Sequence, residues 1–177
     1  QKSQSYKMKY FLSFKWRDCR ALFADSSGIE KLFFRDAHPM WPLVYNPVYD
    51  IWEKLGEERE TALSSMSIDP DGLVKYTTTR VTELSCHFDF ADMPFDEQEC
   101  ALDISVTADG LEKVHVTWDN TIGTGGVEML DNIRIPEWTL GDWMLTDGIP
   151  SKRSIAHAKF KLKRKPWFSV SNYIIPS

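Results

Sequence analysis

Cysteine and histidine are the side chains of this sequence best suited to chemistry, and it has three of one and four of the other. Cys86 and Cys100 bracket thirteen residues in LSCHFDFADMPFDEQECAL. A zinc site takes its cysteines in pairs two to four residues apart, so this spacing is wrong for a metal. It does suit a covalent loop. If the two pair, closing a loop of about fifteen residues stabilises the fold by roughly 3 kcal/mol on the chain-entropy account. A bridge that persists implies an oxidising compartment. Cys19, in KWRDCRAL, reads as a small buried side chain rather than a reactive thiol. The histidines are scattered, and His87 reads as a strand residue rather than a ligand.

Catalytic signatures are missing. The chain has no Gly-x-Ser-x-Gly, no P-loop, no His-Glu-x-x-His and no Cys-x-x-Cys. GTGG at 123–126 lacks the strand–turn–helix setting of a dinucleotide loop and reads as a mobile loop. SIDPDGLVKYTT places Asp69, Asp71 and Gly72 in the order of a calcium loop. Its first position falls on Ser67 and its twelfth on Thr78, so the bidentate carboxylate is absent and a hairpin turn fits better. Nothing implies a cofactor or a metal, and the chain reads as a non-enzyme.

The elements that must carry these residues are strands. KMKYFLSFKW puts Met8, Tyr10, Leu12 and Phe14 on one face and lysines mostly on the other. GLVKYTTTRVTEL is β-branched and long enough for one extended strand or two joined at a bend, KVHVTW alternates, and AHAKFKLKRK interleaves Phe160 and Leu162 with Lys159, Lys161 and Lys163. Turn clusters at Asp69-Pro-Asp-Gly, Ala108-Asp-Gly, Gly123-Thr-Gly-Gly and Asp147-Gly-Ile-Pro separate the runs. Such spacing predicts an all-β, immunoglobulin-like antiparallel sandwich of about ten strands. The one helical candidate is YDIWEKLGEERET. Its 177 residues fit one domain over 1–177, with no boundary, repeat or low-complexity tract. A net charge of −5 gives no support to nucleic-acid binding. No apolar run reaches the eighteen or so residues that cross a bilayer. Lys152 to Ser177 holds seven Lys or Arg and no acid, and the alternation reads that strip as a solvated strand face.

Around the bracketed loop the sequence resembles the Cys-loop pentameric ligand-gated ion channels, the superfamily of nicotinic, glycine, serotonin and GABA-A receptors. Their mark is two cysteines separated by thirteen residues, with Phe-Pro-Phe-Asp-x-Gln-x-Cys leading into the second. Here the run is Met93-Pro94-Phe95-Asp96-Glu97-Gln98-Glu99-Cys100, in which only the first Phe departs. WRDCRAL is similar to the family's Trp-x-Asp-x-Arg-Leu, with Ala21 inserted between Arg20 and Leu22. DGLVKYTTTRVTELSC resembles the strand entering the loop, and KRKPWFSVSNYIIPS resembles the segment that hands the chain to the first membrane helix. The likeness runs from about Tyr6 to Ser177.

That resemblance implies the extracellular ligand-binding domain of an animal, more narrowly an invertebrate, channel subunit at the plasma membrane. It implies a Cys86–Cys100 bridge, a pentamer with subunits of the same family, and transmembrane helices following Ser177. The usual first helix and strand are missing ahead of Tyr10, as in a trimmed product. The loop would touch the membrane domain, with Met93, Pro94 and Phe95 as an apolar tip. Arg164 matches the family's arginine before the first membrane helix, and Asp96 is its first candidate partner.

Ligand would sit between subunits. Phe11, five residues before Trp16, matches the strand D aromatic, and Tyr45 the loop A aromatic. Loop B supplies Ser105-Val106 where the family has a ring, and loop C supplies Lys152 and Arg153 without an aromatic or a vicinal cysteine pair. Lys75, Thr77 and Thr79 would come from strand E, facing one way. Cations near two rings disfavour a cationic transmitter and suit an anionic, zwitterionic or amphiphilic one; equally, the lysines could face solvent over a vestigial site. Two other classes stand beside this reading. One is a naturally soluble transmitter-binding homologue, against which the apolar NYIIPS argues. The other is a small secreted hydrolase, for which no Ser/His/Asp or two-carboxylate set is found.

Overall fold

Alternation of apolar and polar residues builds two sheets. The computed structural model describes residues 4–23, 28–35, 48–57, 59–106, 114–121, 123, 126–128, 135–148 and 154–169. Among them are eight strands: β1 Gln4–Arg17, β2 Leu32–Arg35, β3 Tyr49–Ile51, β4 Arg59–Ile68, β5 Leu73–Cys86, β6 Glu97–Val106, β7 Trp138–Gly148 and β8 Ile155–Arg164. One four-stranded sheet has the order β1-β5-β4-β2 and the other β3-β6-β8-β7. The fold is all-β and antiparallel, consistent with the β-sandwich of a ligand-binding domain; the only α-helix among the described residues is α1, Pro166–Ser169.

The chain divides into two compact units, 7–48 with 54–84, and 1–6 with 49–53 and 85–177. In the first, even-numbered positions of β1 and β5 face inward, and Phe34, Met66, Ile68, Val74 and Tyr76 form the core, with Phe14, Trp16 and Leu32 against it. The Asp69–Gly72 turn joins β4 to β5: Gly72 N–H donates to the Asp69 carbonyl at 2.9 Å, and Gly72 adopts φ +75°. A side chain there would place its Cβ 2.7 Å from the Asp18 carbonyl oxygen, so both backbone and space require glycine. The hairpin reading of this segment holds. In the second unit, Cys86, Cys100, Phe160 and Leu162 form the core, with Tyr6, Phe88, Trp138 and Trp143 packed around it.

Four expectations are corrected. YDIWEKLGEERET is not a helix: it is β3, a turn, an isolated bridge of Lys54 to Leu84, and the start of β4. Sheet contacts outweigh its weak helical pattern, since Ile51 is 2% exposed opposite Ile104 and Trp52 Nε1 donates to Ser105 Oγ at 3.0 Å. KVHVTW keeps its alternation over 114–118 but joins no ladder. Side chains fasten it instead: Val116 N–H donates to Ser154 Oγ at 2.9 Å, and Trp118 Nε1 to the His157 carbonyl at 3.2 Å. Cys19 is exposed. Asp18 takes the inward place beside it, capping the short 3-10 turn Cys19–Ala21 by accepting the Arg20 N–H. His87 lies one residue beyond the end of β5 and is exposed.

Candidate functional site: the disulfide loop and the outer face of β1 and β5

Cys86 ends β5 and Cys100 lies in β6, with Cα atoms 5.4 Å apart and the sulfurs bonded at 2.01 Å. Both are buried, at 5% and 2% exposure. Between them the chain turns twice: Met93 N–H donates to the Phe90 carbonyl at 3.2 Å and Phe95 N–H to the Asp92 carbonyl at 2.8 Å. The Met93–Pro94 peptide is cis. Met93 and Phe95 are 47% and 72% exposed, so the loop ends in an apolar tip that the described residues do not cover.

Its base is the opposite. Asp96 Oδ1 accepts Arg164 Nε at 2.6 Å, and Oδ2 accepts Arg164 Nη2 at 3.1 Å. This fork is bidentate, the strongest form of a carboxylate–guanidinium contact. The main chain repeats the link, with Arg164 N–H donating to the Asp96 carbonyl at 3.1 Å. Both side chains are buried, 3% and 5% exposed. Burial opposes the charge on Asp96, but hydrogen bonds from Arg164 and Gln98 prevail and hold its carboxyl below the usual carboxylate range. On the other side, the Arg164 guanidinium stands 4.0 Å above the Trp138 ring and 5.8 Å from Phe90. Glu137 approaches it at 3.7 Å.

A profile described as "Neurotransmitter-gated ion-channel ligand binding domain" matches residues 1–171 of the chain. The chain belongs to that family. It is 24% identical over 115 residues to a gamma-aminobutyric acid receptor subunit beta of Caenorhabditis elegans, covering 63% of this chain and 20% of that protein. It is 19% identical over 182 residues to a gamma-aminobutyric acid receptor subunit rho-3 of Rattus norvegicus, covering 99% of this chain and 38% of that one. The chain therefore spans well under half the length of these curated relatives. The family is one of ligand-gated channels, not a class of enzymes.

Of the ligand-contact residues expected in this neurotransmitter-gated ligand-binding domain, three share one sheet face or its margin. Phe11 points outward from β1, 55% exposed, with Lys9 Nζ 5.8 Å from its ring centroid. Two residues on, Ser13 Oγ accepts from Thr77 Oγ1 of β5 at 3.5 Å, and Lys75 is exposed on the same strand. Thr79 is a correction: it is 8% exposed, beside the irregular β4–β5 register near Ala62, so it does not stand open with Lys75. Val106 closes β6 opposite Tyr49 and is half-buried. Tyr45, Lys152 and Arg153 lie outside the described residues.

Two groups of residues went unread in the sequence. Gln98 joins the loop base and was legible, because it lies two residues from Asp96 on the same side of a strand. The knot around Glu53 had no such signal. Glu53 Oε2 accepts the Asp103 N–H at 2.8 Å, and Asp103 Oδ2 pairs with His157 Nδ1 at 2.9 Å. Burial pushes the Glu53 carboxyl above its usual range against the pull of the Asp103 N–H. Burial, then the Glu53 charge, pushes ionisation of the Tyr6 hydroxyl up.

Proposed function

We propose that this ligand-binding domain serves an extracellular, pentameric channel subunit, in which ligand binds between subunits and the disulfide loop couples binding to gating. The observation that carries the reading is the buried Asp96–Arg164 fork beneath an exposed apolar tip. Arg164 lies two residues before Pro166, where α1 begins, and Trp167 is 74% exposed. The loop is thus bonded to the strand that leads toward the expected membrane segment. A displacement of one moves the other, and the gating energy is the differential affinity of ligand for two arrangements.

The ligand is an anion or zwitterion small enough for an intersubunit site. Phe11 offers a ring, Thr77 and Ser13 offer hydroxyls, and Lys75 with Lys152 and Arg153 offers positive charge. The named relatives are gamma-aminobutyric acid receptor subunits, and that zwitterion fits these groups. Thermal unfolding with gamma-aminobutyric acid, glutamate, acetylcholine and buffer tests the reading. The expected result is stabilisation by a zwitterion or anion that is lost in both Phe11→Ala and Tyr45→Ala. Stabilisation indifferent to both changes moves binding elsewhere and ends this assignment.

A further inference from the structure

Gln98 sits between the two arms of the disulfide loop, 3% exposed. Its Oε1 accepts the Asp89 N–H at 2.8 Å, and its Nε2 donates to the Asp89 carbonyl. A residue in an antiparallel ladder makes this same two-way exchange with its partner. Here a side chain makes it, because residues 87–90 belong to no strand. The carboxamide's other N–H goes to Asp96 Oδ2 at 2.6 Å, the oxygen that also accepts Arg164 Nη2.

This set of bonds needs one acceptor and two donors on a side chain of that length. Glutamate keeps the acceptor and, when ionised, has no donor; asparagine has both but is one methylene shorter; methionine has neither in strength. Arg164 meanwhile keeps a second hold on the Trp138 ring that does not involve Asp96. The cation is therefore held from β7, whereas the anion's orientation is set from the loop.

We propose that Gln98 is a positioning residue of the loop: it ties the place of the entry arm at Asp89 to the orientation of the Asp96 carboxylate, so that moving that arm loosens the ion pair from its anionic side. The functional meaning of this linkage rests on the coupling role proposed above; the linkage itself is a property of the chain alone. Carboxyl NMR titration of Asp96 and amide exchange at Asp89 test it in wild type, Gln98→Glu and Gln98→Asn. Gln98→Glu keeps the acceptor for Asp89 N–H, so that amide stays protected while the Asp96 titration shifts upward. Gln98→Asn loses both ends, so the Asp96 titration shifts and Asp89 exchange quickens about tenfold, the factor for one buried hydrogen bond.

A side chain that only fills space leaves the Asp96 titration unmoved in the neutral Gln98→Asn, and that result overturns the proposal. In Gln98→Glu the added charge moves the titration in either case, so there the Asp89 amide decides, and its loss of protection overturns the proposal. Should the variants fail to fold, the wild-type chain decides. The Gln98 carboxamide protons and the Asp89 amide must then follow acid titration of Asp96 with one shared midpoint, and separate midpoints overturn the linkage. These readouts involve no ligand and no channel. Their failure leaves the gating role standing, and failure of that role leaves the linkage standing.

Discussion

Asp96 and Glu97 are adjacent in the chain, and each pairs with a cation of β8, yet the two pairs are different objects. Asp96 and Arg164 are buried, share two hydrogen bonds and touch Gln98 and Trp138. Glu97 and Lys163 meet at 3.0 Å with side chains 51% and 68% exposed, as Glu99 and Lys159 do at 3.0 Å two positions on. The difference is the pleat of β6 and β8, which sends successive side chains to opposite faces. On the outward face, the acids of β6 stand opposite the bases of β8 and keep the sheet solvated. Inward, one carboxylate out of water must be fully satisfied, and it is. Of the basic residues of β8, Lys159, Lys161 and Lys163 thus serve the solvated face and Arg164 alone the interior, divided by parity.

Breaking the inward pair is the severest test of that contrast. Arg164→Gln leaves a buried carboxylate without its cation and should cost about 3–5 kcal/mol in chemical unfolding; a cost no larger than for a surface pair would erase the distinction. Next comes Cys100→Ser, which opens the loop and should cost about 2–4 kcal/mol, measured by the same unfolding with Cys86→Ser as its control.

Acid should separate two carboxylates of opposite sign. The Asp96 carboxyl is held below its unfolded value of about 3.9. Its contribution is whole above that value and is lost as pH falls through the lower folded one. Glu53 is pushed above its unfolded value of about 4.3. Its contribution is whole below that value and declines as pH rises through it toward the folded one. Unfolding free energy against pH should therefore flatten on the acid side in Asp96→Asn, and stop declining above about pH 4.3 in Glu53→Gln. The smallest effect belongs to the outward pair. Lys163 lowers the Glu97 carboxyl through a solvated hydrogen bond, and Glu97→Gln should leave the unfolding midpoint unchanged within error.

Much of this was readable from residue order. The runs at Lys7–Trp16, Gly72–Leu84 and Ala156–Lys165 hold most of β1, β5 and β8, because alternation reports a half-buried strand directly. The disulfide loop and the Asp96–Arg164 pair were legible through motif. Where reading failed, a neighbour decided. Val114–Trp118 alternates like a strand but takes its bonds from Ser154 and from the His157 carbonyl. Tyr49–Ile51 opens a segment with a helical pattern, but its strand partner, Ser105 with its flanking residues, makes it β3. Cys19 reads as an inward side chain, but Asp18 holds that place.

The sequence by itself determined an all-β chain, a cysteine-closed loop with a Met-Pro-Phe tip, and membership of a receptor family. The first rests on local periodicity, and the loop and the family on motifs that resemble those of known receptors, all of which residue order contains. Only the tertiary structure decided that Trp138 lies under Arg164, that Gln98 reaches back to Asp89, and that Thr79 is covered. The first and the last depend on register between strands, where a shift of one residue turns a side chain to the other face, and the second on how the loop folds back on β6.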